Sequence, residues 1–182
     1  VMADAERLSV EDEPYHREPI TYEAPYLDNL PTAPREKFAA NIAAIQKLKE
    51  IEQRVANGGS PAFEDEQKIL AQYTGWGGLS DAFDPNKSAW SNEYSQLKAA
   101  LSESEYEAAR SSTLTAFYTP ATVIHPIYRA LERFGVKGGK ILEPSMGTGA
   151  FLAHGHFGSS DAKFCGVELD SITGRISKQL YQ

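Results

Sequence analysis

One cysteine in 182 residues excludes an internal disulfide framework. That residue, Cys165 in "KFCGV", has apolar neighbours, which predict a buried thiol. No apolar run approaches the ~20 residues that a membrane-spanning helix needs. No basic-then-apolar secretory leader opens the sequence, so the cytoplasm is the expected compartment and no membrane partner is expected. Repeats and low-complexity tracts are lacking as well. His125, His154 and His156 have no cysteine or carboxylate at metal-ligand spacing, which argues against a metal site and leaves His154 and His156 expected at the surface.

A basic excess is also missing: the net charge is −7. Residues 1–33 hold eight acids and two bases, a net of −6, and residues 34–182 hold 17 acids and 16 bases, a net of −1. The acidity belongs to the leader, so charge neither supports nor excludes a nucleic-acid partner. What remains, 41% apolar and 24% charged, has the balance of a globular chain.

The chain divides into three stretches. Residues 1–33, rich in proline and without periodicity, predict an extended leader that Tyr15, Tyr22 and Tyr26 could pin to a surface. Residues 34–114 predict a helical region. Phe38, Ile42, Ile45, Leu48, Ile51 and Val55 recur at spacings of three and four, and Gly58 and Gly59 end that helix. A second helix is expected over 63–74, followed by the glycine-rich turn "YTGWGGLSDAFD", whose Trp76 is expected to plug a core. Helical propensity returns over 94–110, where Ser102 and Glu105 have capping-box spacing.

From 115 to 182 the pattern is that of the truncated amino-terminal part of a doubly wound α/β domain. Thr119 is expected to cap a helix that opens at Pro120 and kinks at Pro126, with Val123, Ile124, Ile127, Tyr128, Leu131 and Phe134 as its buried face. Then "KILE" reads as a strand, "PSMGTG" as a loop, "AFLAHGHFG" as a short helix, "AKFCGVELD" as a second strand and "SITGRISKQLY" as the next helix. Strand–helix–strand–helix opens a parallel, doubly wound α/β sheet, in which ligands sit beyond the carboxyl ends of the strands. Glu143 and Glu168 end the two strands, and Gly147 and Gly149 let the loop approach a ligand. Leu152 stands where a dinucleotide fingerprint has its third glycine, and an acid before the loop suits an ammonium or sulfonium rather than a phosphate.

"LEPSMGTGAF", preceded by "FYTP" and followed by "GVELD", resembles the cofactor motifs of amino-methyltransferases that act on exocyclic adenine nitrogens in DNA. Together with "YTGWGGLSDAFD", these segments resemble the methylase region of large methylase/helicase proteins of plasmids, phages and conjugative elements. The resemblance implies an α/β, Rossmann-like S-adenosylmethionine-dependent fold preceded by a helical region, with S-adenosylmethionine as cofactor. It implies DNA as a partner through the full-length protein, with downstream methylase and helicase domains in the same polypeptide, and self-protection of a mobile element against host restriction. Carried onto this sequence, it places Glu143 on the methionine ammonium and Tyr118, Thr119 and Pro120 near the methionine carboxylate. Pro144, Ser145, Gly147, Gly149 and Phe151 then belong to the loop, Glu168 takes the ribose hydroxyls, and Leu169 lies against the adenine. Asp170 is expected to cap the next helix.

The catalytic Asn/Asp-Pro-Pro-aromatic tetrapeptide of that family is absent, so no catalytic residue is expected in this chain and the fragment is expected to be inactive alone. Two rivals stand beside this reading. One is a non-catalytic methylase-like scaffold that recruits DNA or a helicase partner. The other is a methyltransferase for RNA or protein.

Overall fold

The computed structural model describes residues 30–155 and 162–182. Nearly all of the expected leader, with its three tyrosines, and His156 lie outside the described residues. Within them the protein is mixed: mostly helix, with one small parallel sheet.

Helix α1 runs Pro34–Ala56, opened by a proline whose missing N–H is no loss at that position. Phe38, Ile42, Ile45, Leu48 and Ile51 are buried as the spacing predicts, whereas Val55, in the last turn, is exposed. Gly58 takes φ +81, the left-handed value that favours glycine after a helix. Helix α2 (Glu64–Leu70) lies against α1. The stretch over 94–110 is part of two helices, α3 (Ser91–Ala100) and α4 (Glu103–Ser112). They are separated at Leu101, and the Ser102–Glu105 capping box starts the second.

Helix α5 is Ala121–Arg133, with Pro120 rather than Thr119 at its N-cap position and no side chain capping it. Its expected buried face is only partly covered. Ile124 and Tyr128 are buried, while Val123, Ile127 and Phe134 are exposed. Strand β1 (Gly139–Glu143) pairs in parallel with β2 (Ala162–Gly166), joined through α6 (Ala150–His154). Ile141 and Phe164, in register, face the small cluster under α5. Period two then puts Leu142 and Cys165 on the other face, and Cys165 is exposed, not buried. The buried-thiol expectation fails because apolar neighbours along a strand belong to the opposite face.

Helix α7 (Ser171–Leu180), capped by Asp170 through its carboxylate to the Thr173 N–H, joins the sheet to the helices. Its Ile172, Ile176 and Leu180 enter the main core beside α1 and α2. Arg175 on the same helix donates to Glu52 at 2.8 Å and to Glu105 at 2.9 Å, and Lys49 also reaches Glu105 at 3.1 Å. Burial pushes the Glu105 carboxyl up, but the Ser102 N–H, Arg175 and Lys49 outweigh it and hold it at about 2. A depressed carboxyl contributes stability that is complete above the unfolded value near ~4.3 and is lost as pH falls toward about 2. Glu105→Gln should therefore cost ~1–2 kcal/mol at neutral pH, after allowance for solvent screening, and flatten the acid limb of stability over that window. Urea unfolding at several pH values checks both; an unchanged acid limb would remove Glu105 as its source.

Candidate functional site

The loop between β1 and α6 sits where ligands bind in parallel sheets, at the carboxyl ends of both strands. It is held by hydrogen bonds to its backbone. The Met146 N–H donates to the Val167 carbonyl at 3.0 Å, and the Gly147 N–H to the Glu168 carboxylate at 2.8 Å. Ser177 donates its hydroxyl to the Gly147 carbonyl at 2.7 Å. The Tyr181 phenol reaches the carbonyls of Thr148 and Gly149 at 3.0 and 2.8 Å. Thr173, Ser177 and Tyr181 recur every four residues along α7 and its carboxyl cap; Ser177 and Tyr181 strap the loop, and Thr173 holds Tyr118 beside it. That recurrence was not singled out from the sequence, although its spacing was there to read.

Both loop glycines have positive φ, +56 at Gly147 and +81 at Gly149. A Cβ at Gly147 would stand 3.1 Å from the Tyr118 ring, and one at Gly149 would collide with the Tyr181 ring. Protein rings therefore occupy the space that the sequence reading left for a ligand. Tyr118 also lies against Gly75, where a Cβ would meet its hydroxyl at 3.1 Å. Its phenol shares a hydrogen bond with Thr173, and burial pushes its ionisation well above the usual tyrosine value. The turn over 73–78 thus forms the far wall of the glycine loop, with Tyr118 between the two. Asn41 fixes that turn by donating to the Gly75 carbonyl at 2.7 Å and accepting from the Thr74 N–H at 2.9 Å.

The other expected residues divide by what they touch. Glu168 spends one oxygen on the Gly147 N–H and the other on the Asp170 N–H at 2.9 Å, so it staples the loop to the start of α7. Each oxygen keeps a second lone pair. Glu143 is half-buried and, among the described residues, takes only a 3.4 Å contact from the Ser145 N–H. Arg175 pairs with Glu52 and Glu105 and not with Glu143. Burial first, and then the Glu143 charge, push the Tyr128 phenol up to about 12. Leu169 is fully exposed, Thr119 half-buried, and Pro120, Pro144 and Ser145 exposed. Phe151 packs beside Tyr128, which donates to its carbonyl at 2.7 Å.

Trp76 is buried among Phe38, Tyr73 and Phe83, with the Phe83 ring 5.3 Å away and edge-on. His154 is buried, not at the surface, and its Nδ1 lies 3.2 Å from His125 Nε2. Its place at the inner end of α6, beside α5, explains the difference. Among the described residues no three His, Cys, Asp or Glu side chains group as metal ligands, and no helix is long and apolar enough to cross a membrane.

Comparison with known proteins corrects the methyltransferase reading. No family model matches the chain, and no solved structure matches it. Among curated proteins, the chain is similar to "Defense against restriction protein B" of Escherichia phage P1. The two are 26% identical over 166 residues, which is 91% of this chain and 6% of the phage protein. That relative is named for defence against restriction, not for methyl transfer. The reading as a fragment of an N6-adenine DNA methyltransferase falls on this finding, and with it the methylase/helicase-protein resemblance and the scaffold, RNA and protein-methylation rivals.

Gly149→Ala should destabilise the protein by ~2–4 kcal/mol, the sum of left-handed strain and overpacking against Tyr181. In a Tyr181→Ala background its cost should fall by ~1 kcal/mol or more, because the colliding ring is gone. Denaturant unfolding of the four proteins of this cycle measures the coupling, and strict additivity would show that Tyr181 is not what excludes a side chain at 149.

Proposed function

We propose that this chain is a segment of a longer cytoplasmic polypeptide that defends DNA against restriction. The observation that carries the reading is the extent of the likeness to the phage P1 protein: it runs over 91% of the chain and so takes in both the helical region and the strand-end loop. We read β1–α6–β2 as the opening of a Rossmann-like sheet, on the support of its parallel pairing and its helical crossover.

The strand-end crevice, in this reading, takes a small nucleoside-type cation, and S-adenosylmethionine is the cofactor whose groups it suits. Glu143 has accepting capacity left for an ammonium, and the exposed Leu169 offers an apolar face to an adenine ring. The fit is partial, since the loop glycines face protein rings and Glu168 is already engaged with backbone. The assignment is therefore one of binding, and no reaction step is attached to it.

Removing this segment from the full-length protein should leave DNA open to cleavage in a restriction challenge; undiminished protection would sink the defence reading. Calorimetric titration with S-adenosylmethionine tests the ligand separately. Glu143→Ala should weaken binding at least about tenfold with the melting temperature unchanged, a loss of ~1.4 kcal/mol or more. Glu168→Ala should lower the melting temperature as well, because it frees the Gly147 N–H. A folded chain that does not bind removes S-adenosylmethionine and leaves the defence reading to the restriction challenge.

A further inference from the structure

We propose that the amino-terminal rim of the sheet, formed by Arg133, Lys140 and Lys163 with Arg129 one helical turn away, is a contact surface for the phosphodiester backbone of duplex DNA. The choice of DNA as the polyanion rests on the defence reading; the surface itself rests on how charge is arranged. Residues 1–114 hold 20 acids and 11 bases, a net of −9, and residues 115–182 hold five acids and seven bases, a net of +2. In the helical region eight of the nine Lys and Arg residues between 34 and 114 hold an acid within 4.0 Å. Arg129, Arg133, Lys140 and Lys163 are exposed and hold none among the described residues.

The topology gathers these cations. Helix α5 feeds β1 through the turn at 134–138, so its carboxyl end lies by the amino ends of both strands. Lys140 and Lys163 are in direct register and lie on the sheet face away from α5. Like charges side by side on neighbouring strands cost up to ~1 kcal/mol. Lysines do protect sheet edges from pairing with other chains. Edge protection needs a charge on each strand, however, not two in register, and it does not account for Arg133.

Phosphates along a nucleic-acid strand relieve such a repulsion, because each cation meets its own anion and releases a counterion. The carboxylates of Glu143 and Glu168 are at the opposite end of the strands, some ~10–17 Å from the two lysines, beyond a Debye length of ~8 Å at physiological ionic strength. Glu132, exposed between the two arginines in sequence, is the nearest described acid along the chain, and Asp161, just before β2, lies outside the described residues. The proposed role of these cations is to meet phosphates, and phosphate contacts position a protein on the duplex without carrying sequence information, so contact there is expected to be independent of sequence.

Fluorescence anisotropy of the purified 182-residue chain with a labelled duplex of about 20 mixed-sequence base pairs, over about 50–200 mM salt, tests the proposal. Affinity should fall as salt rises, and Lys140→Ala with Lys163→Ala should reduce the slope of log K against log salt by about 1.8, at ~0.9 per phosphate contact. Glu132→Lys should move the slope about 0.9 the other way, which a loss of folding would not do. No binding at low salt by a folded chain, an unchanged slope in the lysine variant, or equal binding to polyglutamate would each overturn the surface. Because the restriction challenge removes the whole segment and does not depend on this rim, a failed rim with a positive challenge leaves the defence reading in place.

Discussion

The glycine loop at the strand ends is fixed by one face of α7, and the rest of the structure is arranged around that attachment. A loop with little side-chain mass cannot be packed into place by apolar burial, so its backbone groups must be held one by one. Ser177 and Tyr181 hold its carbonyls, Glu168 holds the Gly147 N–H, and Tyr118 and Tyr181 fill the space beside the glycines. The adjacent face of α7 is apolar and enters the main core beside α1 and α2. The helical region therefore positions the loop through α7, even though the two are far apart in sequence.

The turn over 73–78 completes the same device from the other side. Asn41 is fully buried and satisfied by backbone partners on that turn, so α1 sets where Gly75 lies, and Gly75 sets where the Tyr118 ring can be. Trp76 beside it has a buried indole N–H with no hydrogen-bond partner among the described residues, a cost of ~1–3 kcal/mol where none is supplied. That cost is offset by burial of the ring among three aromatic neighbours, each aligned near edge-on. The turn is a rigid spacer between the first helix and the strand-end loop.

Features governed by local chemistry were legible in the sequence. The α1 stripe, the end of α1 at Gly58, the Ser102–Glu105 box and the Asp170 cap follow from spacing and capping rules that act within a few residues. Features that depend on what packs from elsewhere were not. Six apolar positions on α5 predict a wide buried face, but two short strands cover only part of it, and Val123, Ile127 and Phe134 stay outside. The glycines at 147 and 149 show the limit most clearly. Glycine is required where a ligand comes close and equally where a tyrosine from another part of the chain comes close, and only the tertiary contacts decide between them.

The strands carry opposite charge at their two ends, and this separation lets the two proposed contacts coexist. At the carboxyl ends the proposed site has Glu143 and Glu168, carboxylates that would favour a small cation over phosphate; at the amino ends Arg133, Lys140 and Lys163 would favour phosphate. Five residues of strand put the two ends beyond a Debye length of ~8 Å at physiological ionic strength, so charges at one end are largely screened from the other. A polyanion bound at the rim would therefore leave the strand-end carboxylates nearly unperturbed, and a cation bound at the loop would not displace the polyanion. Had the acids and bases been interleaved along the strands, each would have neutralised its neighbour, as the cations of the helical region do, and neither end would distinguish one ligand charge from the other.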